Sequence, residues 1–133
     1  MAYTIYSYPN SYQGSGTFGI YAGVSPKNGQ KVLDEVLATV KKLVKDGMTE
    51  KEFADAKNQL RGGYLLGLES PGGRMQAMGR ELLLLGTEYT PERTLAKIEA
   101  VTYEDVMATA RRCLTAAPTL AVVGKGAAKI AVK

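Results

Sequence analysis

The segment from Thr49 to Gly86, TEKEFADAKNQLRGGYLLGLESPGGRMQAMGRELLLLG, constrains the fold of this chain most. It reads as two consecutive amphipathic helices broken at Ser70-Pro71-Gly72-Gly73. Thr49 and Glu52 have the spacing of a capping box, which satisfies two orphan N–H groups at a helix start. Phe53, Ala56, Leu60 and Tyr64 then recur along one helical face. Ser70-Pro71 opens the second helix, with Met75, Met78, Leu82 and Leu85 on one side, and Gly86 stops it. Each apolar stripe has to be buried against another element, so the rest of the chain must be read for what could cover them.

Upstream, Tyr3 to Tyr8 is rich in aromatic and β-branched residues and predicts a strand. Pro9 to Gly16 carries turn chemistry, and Thr17 to Val24 alternates like a returning strand, so a hairpin with a long, flexible tip is expected. Its tyrosines (Tyr3, Tyr6, Tyr8, Tyr12, Tyr21) should divide between core and surface. Ser25-Pro26 starts a helix. Its apolar stripe is Val32, Leu33, Val36, Leu37, Val40, Leu43 and Val44, and it ends at Asp46-Gly47. Two short helices begin at Thr90-Pro91-Glu92 and at Thr102 to Asp105. Thr119 to Val123 predicts a final strand, and residues 125–133 a frayed tail. The order implies an α+β fold, an antiparallel sheet of N-terminal hairpin plus C-terminal strand covered on one face by about five helices. So thin a sheet leaves edges exposed or pairs with strands supplied elsewhere, which reads as a single partial domain over residues 1–133.

A chain of 133 residues holds one domain at most, and 45% hydrophobic with 23% charged residues is ordinary for a globular protein. No apolar run approaches a membrane span, and the N-terminus lacks a signal-peptide layout. No membrane association and a cytoplasmic location are the expectations, although a signal could lie upstream of Met1. The net charge of +4 does not imply nucleic acid, because lysines and arginines are interspersed with acids. Gly62, Gly63 and Gly67 sit oddly inside a helix and suggest close helix-on-sheet packing. A phosphate loop would need a preceding strand and a Gly-Lys-Ser/Thr end, both lacking.

The chain contains no histidine and a single cysteine, Cys113. An intrachain disulfide and the familiar structural zinc sites are therefore excluded. Near a helix end beside Ala110 and Leu114, Cys113 reads as a small packed apolar residue.

Taken in one register, YSYPNSYQGSGTFGIYAG, a long helix, DGMTEKEFADAKNQLRGGYLLGLES, GRELLLLG and VTYEDVMATARR resemble the pitrilysin, insulinase and mitochondrial processing peptidase family of zinc metallopeptidases. The similarity is to the later part of the C-terminal repeat, in the bacterial processing-peptidase-like branch. In that family the N-terminal repeat carries an inverted H-x-x-E-H motif, whose metal activates water. No such motif exists here, so the resemblance implies no catalytic residue, no metal ligand and no cofactor in this chain. Zinc is expected in the missing N-terminal part of a parent or in a partner subunit.

One family site carries over. An Arg…Tyr pair of the C-terminal repeat contacts the substrate backbone near the scissile bond, and Tyr3 occupies the tyrosine's place. By resemblance its phenol would stabilise the developing oxyanion, while the arginine would lie before Met1. As a β-strand aromatic, Tyr3 has a structural reading too.

The resemblance thus implies part of a zinc metalloendopeptidase that shapes a peptide chamber and is inactive alone. Its partners would be the missing N-terminal part or an active subunit, and a peptide substrate. Met1 then reads as an imposed or mispredicted start, a natural short paralogue being the alternative. A non-catalytic scaffold or substrate-binding subunit of the same family is the second reading, and a stand-alone α+β binding module the third. Uncovered sheet edges or apolar helix faces also lead to an expected homo-oligomer.

Overall fold

A computed structural model describes residues 2–132. The fold is α+β, with two antiparallel strands and five helices: β1 (Ala2–Tyr12), β2 (Ser15–Val24), α1 (Gly29–Asp46), α2 (Glu50–Gly67), α3 (Pro71–Leu85), α4 (Pro91–Ala100) and α5 (Tyr103–Leu114). They fall into two compact units. One comprises the hairpin, α1 and the chain from Ala108 onward, and the other is Met48–Met107.

In the first unit the strands are longer than the sequence suggests. Tyr12 pairs with Ser15, which leaves Gln13-Gly14 as a tight turn with Gly14 at φ +79°. The expected long tip is therefore absent. Pro9 and Asn10, read as turn residues, lie within β1 opposite Phe18 and Thr17. Proline is tolerated there because β1 is an edge strand. At the other end Ala2 pairs with Val24 and Thr4 with Gly23, so Tyr3 is the extra residue of a bulge.

The expected third strand does not form. Among the described residues the sheet is two-stranded, and residues 115–123 carry no regular secondary structure. β-propensity is realised only against a neighbouring strand, and Thr119 to Val123 has none beside it. The segment after Gly124, read as a frayed tail, forms a 3-10 turn at Ala127–Lys129. The Gln30 side chain then holds both backbone groups of Ala131, donating to its carbonyl and accepting from its N–H, each at 3.0 Å. Gly29 is buried beneath Ile130, where a Cβ would meet the isoleucine side chain. α1 itself is preceded by a 3-10 turn at Pro26–Asn28.

In the second unit the local signals are realised as read. Thr49 and Glu52 form the reciprocal capping box, and Ser70 accepts from the Gly73 N–H at 2.9 Å. Gly86 closes α3 in the left-handed region at φ +64°. Thr102 and Asp105 cap α5, and the hydrogen bonds from the Thr102 hydroxyl and N–H hold the Asp105 carboxyl below its usual range. Lys57 reaches from α2 to donate to the carbonyls of Glu99 and Val101 at 2.5 and 3.2 Å, tying it to the end of α4. Phe53 meets Tyr103 edge-on with centroids 6.0 Å apart, and the Tyr103 hydroxyl donates to the Met48 carbonyl at 3.1 Å.

Little apolar surface is covered. Among the described residues the buried hydrophobics are Val32, Met107 and Ala110. Folded monomers of this mass expose about 6,800 Å², and two separately folded units of the same total mass about 8,200 Å². The accessible surface here is 10455 Å². The exposed positions include Met75, Met78 and the whole run Leu82 to Leu85, so the apolar side of α3 is not covered within its own unit among the described residues.

Candidate functional site

Tyr3 lies at the bulge of β1 and is 81% exposed. A bulge leaves one residue unpaired and re-aims its side chain, which is why such irregularities recur beside binding sites. Tyr3, the residue singled out from the sequence, lies near the start of β1.

Directly opposed residues of an antiparallel pair share a face. The register pairs Tyr6 with Tyr21, Tyr8 with Gly19, Asn10 with Thr17 and Tyr12 with Ser15, which collects four tyrosines on one face of the ribbon. Tyr6 is the hub, with ring centroids 5.8 Å from Tyr8 and 5.2 Å from Tyr21. Gly19 makes room for Tyr8, since a Cβ there would overlap its ring. All four tyrosines are exposed, so none is the core residue that the sequence led one to expect. Residues 2–24 contain no Asp, Glu, Lys or Arg.

Ile5, Ala22, Ile20, Pro9 and Phe18 occupy the other face. A hollow of about 1000 Å³ in this unit is lined by Phe18, Ile20, Leu33, Val36, Val40 and Leu120, and also touches Tyr8 and Tyr21. Cys113 lines it as well and is exposed rather than packed as its sequence neighbours suggested. The apolar stripe of α1 is therefore only partly covered.

In the second unit a polar cluster joins the ends of α2, α3 and α4. Arg93 pairs with Glu81 and donates to the Thr87 hydroxyl at 3.1 Å and the Glu88 carbonyl at 2.8 Å. The hydroxyls of Tyr64 and Tyr89 lie 2.6 Å apart. Desolvation, with the Tyr64 hydrogen bond and the nearby Glu81 and Glu92 carboxylates, pushes the Tyr89 phenol up to about 12. The cluster ties the loop between α3 and α4 to α2. Among the described residues no group of histidine, cysteine and carboxylate side chains could hold a metal ion, and no helix is long and apolar enough to cross a membrane.

Periodicity alone could have revealed part of the tyrosine face, through Tyr6 and Tyr8 two residues apart. Adding Tyr21 required the strand register.

Comparison with known proteins gives these features a context. Residues 1–60 match the model of the peptidase M16 inactive domain. The chain is 36% identical over 124 residues to an uncharacterized zinc protease of Streptomyces coelicolor, a match covering 93% of this chain and 27% of that protein. It is 28% identical over 114 residues to cytochrome b-c1 complex subunit 2 of mouse mitochondria, covering 86% of this chain and 25% of that one. A conserved protein from Enterococcus faecalis, solved by crystallography, superposes with a TM-score of 0.65 at 25% identity over 84% of this chain and 26% of its own. The chain thus spans about a quarter of the length of these relatives. With the hairpin and α1 inside the residues that match the peptidase M16 inactive domain, and a zinc protease aligned over nearly the whole sequence, the chain resembles a part of this family's proteins.

Proposed function

We propose that this chain is the non-zinc-binding part of a zinc metalloendopeptidase-like protein, shaping the chamber that holds a peptide and presenting Tyr3 to it. The observation that carries this reading is the match to the M16 inactive domain by a chain without a single histidine. Hydrolysis would come from a zinc site on another part of the protein or on a partner subunit. Tyr3 would donate a hydrogen bond to the carbonyl oxygen as negative charge develops on it. The exposed surface supports the same reading. Its excess over two separately folded units is roughly 2,000 Å², the scale that a stable interface buries.

A scaffold role within the same family is the second reading, and the similarity to a cytochrome b-c1 complex subunit favours it.

The two are separated by a chimera in which this chain replaces the matching stretch of the Streptomyces coelicolor relative. The endopeptidase reading expects zinc-dependent cleavage of unfolded peptides by the chimera and none by this chain alone. Tyr3→Phe in the chimera should lower kcat by about 100- to 1000-fold, the range for loss of one oxyanion donor, with KM little changed. Chelator-sensitive cleavage by the isolated chain would sink the proposal. A folded, zinc-loaded chimera without activity would favour the scaffold.

A further inference from the structure

The segment after Gly124 lies on the start of α1 in the way a bound peptide lies on its receptor. Gly124 and Gly126 take φ of +138° and +84°, conformations that suit glycine and place a hinge ahead of the contact. A 3-10 turn at Ala127–Lys129 follows, and the Ile130 N–H donates to the Ala127 carbonyl at 3.0 Å. Ile130 then fills the notch left by Gly29, where a Cβ would collide with the tip of the isoleucine. One residue on, the Gln30 amide reads the backbone of Ala131 through both of its groups. Its Oε1 accepts from the Ala131 N–H and its Nε2 donates to the Ala131 carbonyl, each at 3.0 Å. These are the two bonds that a residue of a neighbouring antiparallel strand would exchange with Ala131. Asp34, one turn along α1, fixes the direction of that amide. Its carboxylate accepts from the Gln30 Nε2 at 2.8 Å, and an ionised carboxylate only accepts, so Oε1 is left for the Ala131 N–H. Val132 comes next and lines the apolar hollow together with Leu33 and Val36 of α1.

We propose that Gly29 and Gln30 form a docking site for an extended aliphatic segment, and that Ile130–Val132 is its built-in occupant, a releasable strap at the rim of the hollow. Any other segment that takes the site has to displace the strap first. The occupant already in place shows what the site accepts. The notch takes a branched aliphatic side chain, the next residue is held through its backbone alone, and the third turns an apolar side chain to the hollow. The hold is shallow, which makes the strap releasable. Ile130 is half-buried, and Ala131 and Val132 are exposed. Contacts of this kind, few in number and open to solvent, break without the rest of the fold. The proposal goes beyond the peptidase reading and holds equally for its scaffold alternative.

The test uses the full chain and a fluorescein-labelled peptide with the sequence of residues 126–133, Gly-Ala-Ala-Lys-Ile-Ala-Val-Lys. Ile130→Asp disables the strap and leaves the site intact. Fluorescence anisotropy should show this variant binding the peptide about 10-fold or more tighter than the unaltered chain, because a tethered competitor acts at millimolar effective concentration. Adding Gln30→Ala to Ile130→Asp should abolish that gain, and a scrambled peptide of the same composition should not show it. Hydrogen exchange of the unaltered chain, resolved to single amides, checks the strap without any substitution. The Ala131 amide should exchange about 10-fold or more slower than in an unfolded chain, and Gln30→Ala should remove that protection. Equal peptide binding by the unaltered and Ile130→Asp chains, a gain that survives Gln30→Ala, or an unprotected Ala131 amide overturns the proposal. So does Ala131 protection that rises with protein concentration together with a Gln30-dependent dimer in light scattering, since the strap would then be exchanged between copies.

Discussion

Tyr89 shows how desolvation, joined by one hydrogen bond with Tyr64, shifts the ionisation of a side chain. The two hydroxyls are 2.6 Å apart, and the Tyr89 phenol is pushed up to about 12 by desolvation first, then by Tyr64 and the neighbouring carboxylates. An acid whose folded pKa exceeds its unfolded value of 10.0 loses its proton more readily when the chain unfolds. Stability from this group is therefore intact below about pH 10 and is lost as pH rises towards 12. Titration of absorbance at 295 nm should show one of the eight tyrosines ionising late, and Tyr89→Phe should remove that late step. The denaturation midpoint of the Tyr89→Phe variant should also fall less between pH 10 and 12. A late step surviving in Tyr89→Phe would refute the assignment.

At the level of elements, the helical glycines divide into two kinds that the sequence does not distinguish. Gly62, Gly63 and Gly67 were read as sites of close packing on a sheet, yet a Cβ at any of them meets nothing within 4 Å. Gly73 is different, because a Cβ there would collide with the Gly67 carbonyl oxygen in the connection between α2 and α3. In the isolated chain Gly63→Ala should accordingly raise stability by about 0.5–1 kcal/mol through helix propensity. Gly73→Ala should lower it by about 1–3 kcal/mol, the span of ordinary destabilising substitutions. Urea denaturation followed by circular dichroism measures both. Destabilisation by Gly63→Ala would mean that another surface already lies against α2 in solution.

For the whole molecule, the dominant quantity is uncovered apolar area. Leu83 is 84% exposed and Leu84 69%, and neither face of the hairpin is covered. Monomeric proteins rarely expose patches of this extent, and free strand edges invite pairing with another chain. Size-exclusion chromatography with light scattering should therefore show concentration-dependent association above about 10 μM, accompanied by strong binding of a hydrophobic dye. A sharp monomer peak at ten times that concentration, without dye binding, would contradict this account. Substituting Leu83 and Leu84 by glutamate should shift the equilibrium towards monomer with little loss of helix.

Sequence by itself determined the α+β class, the five helices and most of their boundaries, because caps and stops are local. Thr49 with Glu52, Ser70 with Pro71, and Gly86 act within a few residues of the bonds they satisfy. That an H-x-x-E-H motif does not occur in these residues followed from composition alone. Tertiary structure decided what depends on residues far apart in the chain. The strand register gathered Tyr21 beside Tyr6, and Gln30 came to hold Ala131 across the length of the sequence. Thr119 to Val123 has the composition of a strand, but a ladder needs a neighbour, and none of the described residues supplies one.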